Sequence, residues 1–229
     1  MNTSSEFITL FKLGYLLCDV PEEIMEFSRK EAKRMISSDF KNRDSFRHGL
    51  AGVLNHEYRF TAPVKALNAF FKEVIPTYLK EFEDVKVIPN RLSSKDLFQI
   101  PESTNAEPSP VWINFQKKYE HNPLHVHTGH LSFVYWLQIP YNLEDEANLP
   151  HTRVEKPETQ EPKCSKFSFH FPLAIQPSVA GIYNHNLLVD KTWEGKMIVF
   201  PSWLHHSVTP FYTSDDYRIS VSGNLFKIN

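Results

Sequence analysis

Beyond residue 110 the chain is written almost entirely in strand pattern. VWINFQKKYE alternates, and LSFVYWLQIP is dense in β-branched and aromatic residues. KFSFHF alternates strictly, with Phe167, Phe169 and Phe171 on one face and Ser168 and His170 on the other. GIYNHNLLV, GKMIVFPSWL and YRISVSGNLF complete the series. Turn residues separate these runs, and no helical pattern lies between them. Strands joined without crossover helices pair antiparallel, so this half of the chain is constrained to an antiparallel barrel or sandwich.

The first half reads differently. Residues 6–17 predict a strand carried by Phe7, Ile8, Leu10, Phe11, Leu13 and Tyr15. PEEIMEFSRKEAKRMISSDF opens with Pro21 and acidic residues, a helix start, and Ile24, Phe27 and Met35 recur at helical spacing. KNRDSFRHGLAGVLNHEYRF reads as a loop with a short strand. A second helix follows in PVKALNAFFKEVIPTYLKEFEDV, with a kink or break expected at Pro76. The whole is a mainly β, α+β chain forming a single domain: 1–109 as helical support with edge strands, and 110–229 as the β core. Residues 141–165 are polar, Pro-containing and aperiodic, and read as a long loop inserted into that core. Its acidic run Glu144, Asp145 and Glu146 is expected to be a solvated face. A loop of this length beside a site is also a candidate substrate lid.

Net charge is −2, and no Lys/Arg stripe of the kind nucleic acid demands is present. Cys18 and Cys164 match neither a disulfide framework nor a zinc spacing, so free thiols in a reducing cytosol are expected. Glu6 precedes the short N-terminal apolar run, which argues against a signal peptide, and no run is long enough for a bilayer. The expectation is a cytoplasmic protein. The sequence leaves room for a homodimer.

HNPLHVHTGH, residues 121–130, crowds four histidines into ten residues. In a strand, His125 and His127 would project from one face and offer two imidazoles to one divalent metal. Taken alone, the cluster is balanced between half a metal site and a solvated His-rich loop. The candidates for a third ligand are His205 and His206 in FPSWLHHSVTP, of which at most one can join, since neighbours in a strand face opposite ways. Further on, YRISVSGNLF places Arg218, Ser220 and Ser222 on one face: a guanidinium fork for a carboxylate, with small residues leaving room for a ligand.

These residues resemble a known family. GKMIVFPSWLHHSVTP followed by YRISVSGN, together with NPLHVHTGHLSFVYWLQIP, is similar to the iron- and 2-oxoglutarate-dependent dioxygenases. The likeness is to a phage and bacterial group distantly related to prolyl hydroxylases, and it spans about residues 110–229. The resemblance implies a double-stranded β-helix, a jelly-roll or cupin-like barrel whose mouth holds Fe(II). It implies His125, His127 and His206 as metal ligands, selecting His206 over His205, and Arg218 as the partner of the far carboxylate of 2-oxoglutarate. Asn114, Tyr135 and Ser220 are placed with the cosubstrate. The implied reaction is oxidative decarboxylation of 2-oxoglutarate with O₂, coupled to oxidation of a substrate C–H bond, as in a hydroxylase. The primary substrate is left open between a protein side chain and a small metabolite. If the chain is phage-encoded, the cytoplasm is the host's.

One departure stands out. Most of the superfamily has Asp or Glu where this chain has His127. That keeps three further possibilities open: His130 or a distant carboxylate as the remaining ligand, a cupin-like three-His metalloenzyme without 2-oxoglutarate, and a non-catalytic β-barrel binding protein. His121, His151, His170 and His185 are read as ordinary polar residues, and the Phe167/Phe169/Phe171 stripe as core.

Overall fold

A computed structural model of the protein describes residues 12–46, 51–83, 93, 95–102, 110–155, 160–176 and 179–228, with 172–176, 179 and 180 as backbone only. In chain order the elements are β1 (Leu16–Asp19), α1 (Glu22–Ser37), β2 (Glu57–Arg59), α2 (Val64–Lys80), β3 (Leu97–Gln99), β4 (Val111–Gln116), β5 (Asn122–His125), β6 (Leu131–Gln138), α3 (Leu143–Ala147), β7 (Lys166–Gln176), β8 (Val179–Leu188), β9 (Lys196–Pro201), β10 (His205–Val208) and β11 (Arg218–Ile228). Among the described residues the strands form two sheets. The larger runs β1-β9-β6-β11-β4-β2, with β3 on the far end of β11, and the smaller runs β5-β10-β7-β8. Each ladder between these strands is antiparallel.

The apolar residues form two layers. One lies between the large sheet and helices α1 and α2 and includes Ile24, Met35, Leu67, Phe71, Phe115, Phe133, Tyr135, Ile219 and Val221. The other lies between the two sheets and includes Val134, Trp136, Phe167, Phe169, Ile198 and Phe200. Strand parity sends neighbours on one strand to different layers, as with Tyr135 and Trp136. Strands β4 and β6 therefore lose the polar-out alternation of a half-exposed sheet: every residue of Val111–Gln116 is buried.

Three expectations change. The N-terminal strand lies later than predicted: residues 12–15 are not in a strand, and Leu16–Asp19 pairs with Val199–Lys196 at a sheet edge. Phe7, Ile8, Leu10 and Phe11 lie outside the described residues. Backbone pairing, rather than an apolar face, sets that strand, since Leu17 is half exposed. Helix α2 passes unbroken through Pro76. The proline forfeits one backbone donor, but Leu67, Phe71, Ile75, Tyr78 and Leu79 bury a continuous stripe on both sides of it, and that packing outweighs the loss.

The third change concerns the acidic run. Glu144 and Asp145 are exposed, but Glu146, on α3, is fully buried. Cys18 and Cys164 are free thiols. Among the described residues no helix is long and apolar enough to cross a membrane.

Candidate metal and cosubstrate site

The site is built where the short strands β5 and β10 pair. His125, the last residue of β5, lies directly across from His206 in β10. His127 falls just beyond the strand, and its N–H donates to the Ser202 carbonyl in the β9–β10 turn at 2.9 Å. The three rings meet, with centroids 4.2 Å apart for His125–His206 and 4.9 Å for each of the other two pairs. One ligand atom from each lies within 4.8 Å of the others. His205 points the opposite way and is exposed, opposite His170 on the outer face of the small sheet. His130 is elsewhere: its Nδ1 accepts from the Lys227 N–H at 3.2 Å, and its ring sits against Phe98.

Backbone carbonyls aim two of the imidazoles. His125 Nδ1–H donates to Pro123 O at 2.7 Å, and His206 Nδ1–H donates to Leu204 O at 2.9 Å. The proton is thereby fixed on Nδ1, leaving Nε2 of each with a free lone pair. Phe167 stacks on His206 at 5.4 Å and Phe200 meets it edge-on. These walls keep the imidazoles unprotonated. Burial, then the neighbouring His125, pushes His127 down to about 3. Burial first, then His125 and His127, holds His206 well below its ordinary value, and burial lowers His125. Nε2 of His127 and of His206 are 3.2 Å apart. At that separation the two nitrogens could serve one ion together. Among the described residues no Asp or Glu joins the group.

Arg218 lines the same cavity and is 3% exposed. Its Nε and Nη2 donate to Gln116 Oε1 at 3.1 and 2.5 Å, its Nη1 to Tyr141 Oη at 2.9 Å, and its Nη2 to Thr209 O at 3.1 Å. Gln116 is itself set by its Nε2 donating to Glu120 O at 2.6 Å, which turns its Oε1 toward the guanidinium. With Nε–H and both Nη2 hydrogens engaged, one Nη1–H remains, next to the Tyr141 hydroxyl. Asn114 and Ser220, register partners on β4 and β11, form the adjoining wall. Asn114 Nδ2 donates to Ser220 Oγ at 3.4 Å, while its buried Oδ1 has no hydrogen-bond partner. Asn122 Oδ1, at the β5 side of the cavity, is in the same position. Buried carbonyls left this way are acceptors for something that enters the cavity.

Tyr135 does not belong to this site. It is fully buried in the helix-side layer, where its hydroxyl meets Ser28 of α1 at 2.9 Å. On β6 it is Phe133, Val134 and Trp136 that line the cavity. Sequence reasoning missed Gln116 and Tyr141. Gln116 is two residues from Asn114 and so on the same face, a signal that strand parity carried. Tyr141 lies beyond the end of β6, where no periodicity marks it.

The model of the family described as "Putative 2OG-Fe(II) oxygenase" matches residues 110–224, half of the chain and every one of the residues that gather here. The chain belongs to the 2OG-Fe(II) oxygenase family. No curated protein matches the sequence. Solved structures similar to this oxygenase include a prolyl-4-hydroxylase from Pseudomonas putida, 12% identical, with a TM-score of 0.48, covering 95% of this chain and 94% of that one. Another is an oxidoreductase of the 2OG-Fe(II) oxygenase family from Burkholderia pseudomallei, 11% identical, with a TM-score of 0.37, covering 77% and 66%. Likeness at that level says nothing of substrate.

Proposed function

We propose that this oxygenase is a hydroxylase that uses Fe(II) and 2-oxoglutarate, with His125, His127 and His206 holding the iron and Arg218 the far carboxylate of the cosubstrate. The observation that carries the reading is that three neutral imidazoles and a buried guanidinium line one cavity. Residues 110–229 are read as a double-stranded β-helix core and 1–109 as its support, in a single domain. The two sheets facing across the Phe167–Phe200 layer agree with that arrangement. Iron and 2-oxoglutarate together supply the oxidising chemistry, turning 2-oxoglutarate and O₂ into succinate, CO₂ and an oxygen atom for a substrate C–H bond.

The chain's own residues do the rest. The imidazoles are delivered unprotonated, so metal binding at neutral pH has no proton to displace from His127 or His206. With no carboxylate among the ligands, a divalent ion keeps its full charge and attracts the dianionic cosubstrate more strongly. Arg218, steadied by Gln116, Thr209 O and Tyr141, presents its remaining Nη1–H together with the Tyr141 hydroxyl at the other end. Asn114 Oδ1 and Ser220 Oγ line the path between the two.

The test is the visible spectrum of the protein under anaerobic conditions with Fe(II) and then 2-oxoglutarate. A weak metal-to-ligand band on adding 2-oxoglutarate is expected. The absence of a carboxylate from the histidine group favours one second reading, a cupin-like three-His metalloenzyme without this cosubstrate. Tight iron binding with no band would select it, and no iron binding would leave a non-catalytic binding protein.

A further inference from the structure

The acidic run Glu144, Asp145 and Glu146 predicts a solvated face, yet Glu146 is fully buried. Every group that meets this side chain is a donor. Tyr212 N–H reaches both carboxylate oxygens at 2.9 Å, Thr213 N–H reaches Oε1 at 2.7 Å, Thr213 Oγ1 reaches Oε1 at 2.6 Å, and Ser165 Oγ reaches Oε2 at 3.3 Å. A buried carboxylate is tolerated only when it is satisfied in this way. The helix that carries it is tied down as well: the Glu146 carbonyl accepts from the Thr152 hydroxyl and, at 3.5 Å, from Cys164 Sγ.

The two pieces that Glu146 joins both hold Arg218, alongside Gln116 of β4. One is the 141–165 segment, whose first residue, Tyr141, accepts from Arg218 Nη1. The other is the stretch leading into β11. In it, Thr209 O accepts from Nη2, and the Phe211 ring lies 5.7 Å from the guanidinium carbon. Tyr141 and Phe211 stack on each other at 4.9 Å, closing the circle. Glu146 bridges the pieces at Tyr212 and Thr213, immediately after Phe211.

We propose that Glu146 is a positioning residue for Arg218, and that the stretch from Tyr141 to Thr152 is a buttress of the cosubstrate pocket through this carboxylate clamp. The proposal rests on the reading of Arg218 as the carboxylate anchor. Loosening the clamp lets Tyr141, Phe211 and Thr209 O drift from the guanidinium, which leaves Gln116 alone to hold it and its remaining donor less narrowly aimed.

The experiment compares wild type with Glu146→Gln, which keeps the shape but removes the charge and turns one of the two acceptor oxygens, both of which receive the Tyr212 N–H, into a donor. Thr213→Val, which removes one hydroxyl donor, is the milder second variant. Fe(II) affinity is measured alone, and 2-oxoglutarate half-saturation from the visible band of the anaerobic Fe(II) protein. Half-saturation should rise about tenfold in Glu146→Gln and about threefold in Thr213→Val, with Fe(II) affinity unchanged. Unchanged half-saturation in both variants overturns the proposal, as does parallel loss of Fe(II), which would mark a merely structural role. If wild type itself gives no band, the 2-oxoglutarate reading has failed instead, and amide hydrogen exchange decides the clamp. Faster exchange confined to 209–218 in Glu146→Gln upholds it, and faster exchange that also spreads through β6, or none, overturns it.

Discussion

On the helix side of the large sheet, Phe115, Tyr135, Ile219 and Val221 sit in a closed apolar layer with α1 and α2. One residue away on those strands, Asn114, Trp136, Arg218 and Ser220 face the cavity. The same backbone serves both sides, yet the demands differ. The helix side needs volume and shape, which many apolar residues satisfy. The cavity side needs particular donors and lone pairs at particular places. Two of its carbonyls are even left unpaired, a local cost in the free protein. Damage to the first should appear as lost stability, and damage to the second as lost ligand.

Substitutions that separate the two sides test this. Phe71→Ala, in the centre of the helix-side layer, should lower stability by about 3–5 kcal/mol in chemical denaturation. Iron affinity of the protein that remains folded should not move, and a matching loss of iron would break the separation. His206→Ala should weaken Fe(II) binding by more than about 100-fold in anaerobic calorimetry, since even indirect partners of metal ligands are worth about 10–100-fold. His205→Ala, one residue away, should leave it intact. Arg218→Ala should raise 2-oxoglutarate half-saturation roughly 30-fold, about 2 kcal/mol, with Fe(II) retained.

A smaller effect comes from pH. In the unfolded chain a histidine gains its proton as pH falls through about 6.5. Native His127 stays neutral down to about 3. Between those values the unfolded state binds more protons, so the stability of the metal-free protein falls as pH falls, by up to about 1.4 kcal/mol per pH unit from this residue. His127→Leu should flatten the decline of melting temperature with acid by that share, and an unchanged slope would contradict the burial of this ring. Smallest of all, Tyr135→Phe should cost about 1 kcal/mol through its bond to Ser28 and leave cosubstrate binding alone. A change in half-saturation there would put Tyr135 back on the cavity side.

How much of this was legible follows from physics rather than luck. On β11 the alternation of Arg218, Ile219, Ser220 and Val221 marks the two faces in the sequence itself. On β6, LSFVYWL is apolar but for Ser132 because both faces are covered, so the letters did not say whether Tyr135 or Trp136 met the cavity. His125 and His127 stood out by residue type and spacing, whereas spacing left His205 and His206 level and only the family resemblance singled out His206. Glu146 did not, because what makes its burial tolerable is the pair of backbone donors at 212 and 213, which no side-chain pattern announces. Pro76 misled for a related reason: a local rule about one missing donor was outvoted by a stripe of packing.

Strand β5 has four residues, sits at the rim of its sheet, and among the described residues touches β10 through only two register pairs, with an irregularity between them. One of those pairs is His125 with His206. An ion shared by these histidines is therefore a rivet as well as a reagent, fastening a loose rim to a distant turn of the chain. The melting temperature of such a protein would read out the metal supply around it, and without the ion the rim would be the first part to open.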